Sequence, residues 1–222
     1  YINNLRGMFA FSLWDDKTQT LSLVRDRFGI KPLYYLVLDD IFYFASEAKA
    51  LVKFLPSLEL DRQALTDYLA FQTILRRETP FLGINMVLPG EIVRVRAGQV
   101  SRATYWQISY ELNFERSELE TISTLNELLD EAMDLHLVSD VEVAAYVSGG
   151  IDSSLVALLA ERKFSNPMRA YHGRFSGLEG FDESAWAELA VQSSSIGLRV
   201  RDFSPEESWQ AFLKSSYFLD YP

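Results

Sequence analysis

The stretch with the clearest chemical meaning is Ser148-Gly149-Gly150-Ile151-Asp152-Ser153-Ser154. It lies between a nearly all-apolar run, Val141–Val147, and a helical pattern through Leu155, Val156, Leu158 and Leu159. Adjacent glycines let a backbone turn sharply and leave its N–H groups bare, so they can converge on an anion at a helix N-terminus. Ser148, Ser153 and Ser154 add hydroxyls. Asp152 decides what sort of anion site this is. A carboxylate in a phosphate cradle repels the ligand unless a divalent cation lies between them, so the loop implies Mg2+ shared by Asp152 and phosphate oxygens. The bland alternative is a serine-rich turn with Asp152 capping the following helix. The full seven-residue string, in a strand–loop–helix setting, favours the phosphate site. Neither the Gly-Lys-Ser/Thr ending of a Walker loop nor a dinucleotide fingerprint is present.

Positioning such a loop requires a strand that ends at Val147 and a helix that begins near Ser153. Both fit the pattern around them. Ser117 and Glu120 form a capping box ahead of Ile122, Leu125, Leu128, Leu129, Ala132 and Met133, which predicts a long amphipathic helix. Ala170–Phe175 and Leu198–Phe203 read as further strands. Asp182 caps a helix bearing Ala185, Trp186, Leu189 and Ala190, and Ser204, Pro205 and Glu207 start the last helix. Alternating strand and helix with apolar strands implies a parallel sheet, so residues 118–222 are expected to be doubly wound α/β, with ligands at the carboxyl ends of the strands.

The first hundred residues have a different grammar. Met8–Trp14 and Thr20–Val24, Leu33–Leu38 and Ile41–Ala45, and Ile92–Val95 and Val100–Trp106 read as three hairpins. Ser46–Phe54 has helical spacing, and Asp61 can cap a helix carrying Leu65, Tyr68 and Leu69. This predicts an antiparallel α+β domain over 1–106, followed by a polar linker over 107–117. Arg25, Asp26, Arg27 and Lys31 make a dense charge run, read either as a solvated turn with internal ion pairs or as a domain interface. Glu47 reads as a first-turn helix residue, and Asp182 and Glu183 as helix-start residues. His172 lies on a strand near the phosphate loop and His136 late in a helix; both are most simply structural.

Composition narrows the partners. Of 222 residues, 48% are hydrophobic and 23% charged, which is ordinary globular usage and excludes a mainly disordered chain. No apolar run approaches the length of a membrane span. The net charge of -10 argues against nucleic acid. Cysteine is absent and only two histidines occur, which removes disulfides, thiolate metal sites and any thiol nucleophile. The chain begins at Tyr1 without a basic-then-apolar leader and stops at Pro222 after a helical pattern, so it reads as an internal piece of a longer, cytoplasmic protein.

The loop resembles the pyrophosphate loop of the N-type ATP pyrophosphatases. Arg6–Phe11, Arg25–Tyr35, Phe44–Glu47, Leu88–Gly90, Tyr105-Trp106 and Ser139–Val141 are all similar, in order, to glutamine-dependent asparagine synthetases. That resemblance covers essentially the whole chain. It implies the rear of an N-terminal-nucleophile glutaminase domain joined to the start of an adenine-nucleotide α-hydrolase-like synthetase domain. It also implies ATP, aspartate and glutamine as reactants with Mg2+ as cofactor, a β-aspartyl-AMP intermediate, an ammonia channel as a further role open to the Arg25–Lys31 run, and a cytoplasmic enzyme; a homodimer is compatible with it. Residue by residue, the resemblance places Ser148, Gly149, Gly150, Asp152, Ser153 and Ser154 on pyrophosphate, with Asp152 on the metal. It places Val147 and Gly173 where strand ends meet adenine and ribose, and Asp220 at the acidic position that handles the substrate amine or intermediate. The family's glutaminase nucleophile is a leading cysteine, which this chain lacks, so residues 1–106 are not expected to hydrolyse glutamine by themselves. Three alternatives stay open: an amidotransferase acting on another carboxylate, a β-lactam-type synthetase, and a catalytically silent nucleotide-binding module.

Overall fold

A computed structural model describes residues 1–175, 180 and 182–219. The chain divides into two compact units, Tyr1–Glu111 and Leu112–Ser215, with the described residues after Ser215 grouped with the first.

The first unit holds two antiparallel sheets. In one, β1 (Ala10–Asp15), β2 (Thr20–Arg25), β6 (Glu91–Arg96) and β7 (Gln99–Thr104) follow in the order β1-β2-β6-β7. The other has β3 (Tyr34–Leu38) between β4 (Ile41–Ala45) and β5 (Ile84–Met86). The three hairpins expected from alternation form, with Phe11 opposite Val24, Leu36 opposite Tyr43 and Val95 opposite Val100. Strand β3 is buried on both faces. Tyr35 packs with Leu23, Leu33, Val87 and Val93, whereas Tyr34 and Leu36 pack with Ala48, Leu51 and Ile84. Successive side chains point to opposite faces, so this one strand joins two apolar layers. The Tyr35 hydroxyl accepts from Arg102 Nε at 3.0 Å, which gives the buried phenol a polar partner.

Two helices complete this unit. The segment expected as a helix over Ser46–Phe54 is reduced to α1, Lys49–Val52. Helix α2, Arg62–Phe71, starts where Asp61 accepts the N–H groups of Gln63 and Ala64, as its side chain predicts.

In the dense charge run at Arg25–Lys31, the first two residues are not solvated as a surface turn would leave them, while Lys31 is exposed. Arg25 and Asp26 are buried. Arg25 donates to the carbonyls of Lys31, Val87 and Gly29 at 2.8, 2.7 and 2.6 Å. The Asp26 carboxylate accepts the N–H groups of Phe28, Ile30 and Lys31. Tyr105 Oη donates to the Arg25 carbonyl, the Gly90 N–H donates to the Asp26 carbonyl, and Phe28 packs on Trp106 with ring centroids 5.1 Å apart. Three stretches far apart in the sequence, Arg25–Tyr35, Leu88–Gly90 and Tyr105-Trp106, thus meet in one knot.

The second unit opens with α3, Glu118–His136, whose capping box forms as expected. A parallel sheet follows in the order β10-β9-β8: β8 is Ala144–Tyr146, β9 Arg169–Arg174 and β10 Gly197–Asp202. Parallel strands cannot be joined by a tight turn, and helices α4 (Ile151–Glu161) and α5 (Ser184–Val191) make the crossovers. Ala157, Ala160, Ala187 and Val191 from these helices, with Met133 of α3, pack on Ala145, Val147, Ala170 and Leu198. Alanine at the helix contacts lets the backbones approach closely. The intervening strand residues, Tyr146, Tyr171, Gly173, Arg199 and Arg201, line the other face of the sheet. Among the described residues, then, the helices packed on this sheet share one face, and the second helix layer of a doubly wound fold is not seen. Helix α6, Pro205–Leu219, begins with the Ser204–Glu207 reciprocal cap.

No helix among the described residues is long and apolar enough to cross a membrane.

Candidate functional site: the loop between β8 and α4

The ladder between β8 and β9 runs one residue past the end of β8, where the Val147 N–H donates to the Tyr171 carbonyl at 2.9 Å. Val147 itself is buried, so its side chain belongs to the core rather than to an exposed site. From Ser148 the chain folds back on itself. The Ser148 N–H donates to Ser153 Oγ at 3.2 Å, the two hydroxyls lie 2.9 Å apart, and the Gly150 N–H donates to Ser148 Oγ at 3.3 Å.

The two glycines are needed for different reasons. Gly149 has φ +91°, and a Cβ there would lie 2.7 Å from Trp186 Cβ and 2.8 Å from the Ala187 nitrogen. Only glycine lets this turn lie flush against the start of α5. Gly150 has φ -69° and meets nothing closer than Ser148 Oγ at 3.4 Å, so the fold does not require glycine there. Its bare backbone faces solvent.

Helix α4 begins at Ile151, two residues earlier than the sequence suggests, with Gly150 at the cap position. That cap carries no side-chain hydrogen bond. The first N–H groups of a helix have no partner within it, and here no side chain covers them. They sit at the carboxyl end of a parallel strand, where the helix dipole favours an anion. Asp152 is exposed in the first turn and does not cap the helix; with Ser153 it borders a cleft of about 510 Å³ whose other walls include Met133, His136, Val156 and Met168. Ser154 behaves differently from the other two serines. Its hydroxyl is buried without a hydrogen-bond partner, so two of the three loop hydroxyls, not three, reach the surface.

Gly173 is exposed at the far end of β9, bordering a cavity of about 610 Å³ with Tyr146, Arg199 and Phe203. A Cβ on it would come within 3.2 Å of the Phe203 ring. Near it, the Arg174 guanidinium pairs with Asp202 across β9 and β10. The Asp182 carboxyl lies below its ordinary range because the Ser184 hydroxyl and N–H both donate to it. Asp220 lies outside the described residues. Among those described, no group of three His, Asp or Glu side chains is placed to hold a metal. Asp152 is the one carboxylate of the loop, so a cation there needs its remaining ligands from phosphate and water.

Sequence reasoning passed over the part played by His172, whose Nδ1 is 2.8 Å from the Val147 carbonyl at the root of the loop. The signal was a lone histidine on a strand, and no spacing rule could have shown its partner. Glu47, expected in the first turn of a helix, instead precedes α1 and pairs with Lys49 at 2.8 Å.

An antiparallel two-sheet unit is followed by a parallel sheet with an uncapped glycine-rich loop, and each part has its own match among known protein families. Residues 1–106 match the model of a glutamine amidotransferase domain and residues 124–222 that of asparagine synthase. The chain belongs to the glutamine-dependent asparagine synthetase family. It is 32% identical to asparagine synthetase (glutamine-hydrolyzing) 1 of Bacillus subtilis, over 99% of this chain and 34% of that protein. It is 36% identical to amidase chyE of Penicillium rubens, over all of this chain and 35% of that protein. The chain therefore spans about a third of the length of these curated relatives. A solved glutamine phosphoribosylpyrophosphate amidotransferase from B. subtilis covers 90% of this chain and 49% of its own at 16% identity, with a TM-score of 0.30, too slight a likeness to argue from.

Proposed function

We propose that the protein containing this chain is an ATP-dependent, glutamine-hydrolysing asparagine synthetase. In this reading residues 1–106 are the rear of its glutaminase domain, 107–117 a linker and 118–222 the start of a doubly wound ATP-pyrophosphatase domain. The aspartate side-chain carboxylate attacks the α-phosphorus of ATP and expels pyrophosphate, giving β-aspartyl-AMP. Ammonia, released with glutamate when water cleaves glutamine, then displaces AMP to form asparagine.

The observation that carries this reading is the uncapped N-terminus of α4 at the end of β8, beside a glycine at 150 that the fold itself does not demand. Charge grows on the departing pyrophosphate during the first step, and preorganised N–H donors stabilise it there without reorganising. The N–H groups of the α4 first turn and the hydroxyls of Ser148 and Ser153 are assigned to that role, with Gly149 fixing the turn. Gly173 and the Val147 backbone adjoin the nucleoside, Ser154 supports the loop from beneath, and Asp220 serves the substrate amine or intermediate. Asp152 would hold Mg2+, which would supply positive charge to offset the charge growing on the departing pyrophosphate. In-line displacement needs no protein nucleophile, so the absence of cysteine does not bear on this half of the reaction.

The test is ATP–pyrophosphate exchange by the full-length protein. Aspartate-dependent exchange is expected, falling at least about tenfold in Asp152→Ala as the metal loses its protein anchor. Normal exchange in that variant would remove the metal role. A second reading is amide formation on another carboxylate. Exchange driven by other acids but not by aspartate would select it, and no exchange with any acid would leave a silent nucleotide-binding module.

A further inference from the structure

Val147 is the residue at which the strand hands over to the loop, and its two backbone groups are held in different ways. Its N–H is bound by the backbone of β9, through Tyr171. Its carbonyl is bound by a side chain, the buried imidazole of His172, at 2.8 Å. A carbonyl accepts, so Nδ1 must carry the proton, and in the neutral ring Nε2 is then a bare acceptor. Nε2 is buried and has no hydrogen-bond partner. Burying such a nitrogen is unfavourable, and an apolar residue would fill the same space without it. The ring's value lies in its other nitrogen.

We infer that His172 is a positioning residue for the phosphate loop: by fastening the Val147 carbonyl to β9, it fixes the height at which Ser148–Gly150 leave the sheet and so the aim of the first N–H groups of α4. This rests on the reading of the loop as the nucleotide site. Donor placement matters steeply in such sites, because a misplacement of about 1 Å can cost about 100-fold in rate.

Three variants of the full-length protein separate this role from mere packing. In His172→Asn the side-chain amide can donate from about where Nδ1 sits, in His172→Gln it sits about where Nε2 does, and His172→Leu fills the volume with no donor. Mg·ATP binding by calorimetry and the KM for ATP in pyrophosphate exchange are measured beside thermal midpoints. Asn is expected to stay within about threefold of the parent, while Gln and Leu weaken ATP about tenfold or more. If Leu does not fold, the Asn and Gln pair still decides, since both are polar and differ in reach. Equal ATP affinity in Asn and Gln, whether both are normal or both impaired, overturns the inference. A parent protein that binds no Mg·ATP removes the nucleotide reading itself; a parent that binds while Gln and Leu bind equally well removes only the role of His172.

Discussion

The knot around Arg25 and Asp26 and the loop at 148–154 are both short, polar and glycine-containing, yet they treat their hydrogen-bonding groups in opposite ways. In the knot, each Arg25 nitrogen reaches a backbone carbonyl and the Asp26 carboxylate takes three N–H groups, all within the first unit. Buried charges persist only when satisfied in this way. In the loop, the helix start is uncapped, the glycine backbone is exposed and Asp152 faces solvent. A polar cluster saturated by its own chain is a structural part. One left open at a helix N-terminus has capacity to spare for a ligand, and this supports placing the nucleotide there.

The contrast can be broken by substitutions with opposite readouts. The largest effect is expected for Arg25→Met, which strips three carbonyls of a charged donor and should lower the stability of the protein by about 3 kcal/mol or more in denaturant titration. Asp152→Ala should leave that midpoint in place. If the two variants unfold alike, the distinction between knot and loop fails.

Within the loop, Gly149→Ala should cost about 1–3 kcal/mol, because it forces a left-handed φ on a residue whose Cβ meets Trp186 and Ala187. Gly150→Ala should cost less than about 1 kcal/mol in stability, the scale of exchanging one cap residue for another. Its loss should show in nucleotide binding instead. Comparable unfolding of the two would mean that both glycines serve the fold alone.

The smallest effect concerns acid. Burial pushes the Asp26 carboxyl up, but the N–H groups of Lys31, Ile30 and Phe28 outweigh it and hold the group below the usual carboxylate range. A carboxyl depressed in the folded state adds stability above its unfolded value and loses it as pH falls through the folded one. Stability measured from about pH 6 down to about pH 3 should therefore fall less steeply in Asp26→Asn than in the parent. An unchanged slope would mean that the knot does not depend on the Asp26 charge.

Legibility followed the range of the interactions. The hairpins and the caps at Ser117, Asp61 and Ser204 were readable because their partners lie within a few residues. Strand β5 was missed: its three residues have no alternation to show, and it is set by pairing with β3, where Met86 meets Tyr34. The apolar pattern of Val141–Val147 predicts a seven-residue strand, but the ladder covers only Ala144–Val147, since the register with β9 begins at Ala144 opposite Arg169. The start of α4 was placed too late because its cap is a glycine with no side chain to signal it.

The order of residues alone determined the family, the glycine-rich loop with its single carboxylate, and the change from hairpins to strand–helix alternation, because these are local patterns. Only the tertiary structure decided that Arg25 is buried, that Ser154 turns its hydroxyl inward and that His172 holds the root of the loop. Arg25 finds its carbonyl 62 residues away and receives Tyr105 from 80 residues away, while His172 meets Val147 across 25. Such partners are chosen by how sheets and helices pack, since a buried polar group must bond to whatever the fold brings within reach.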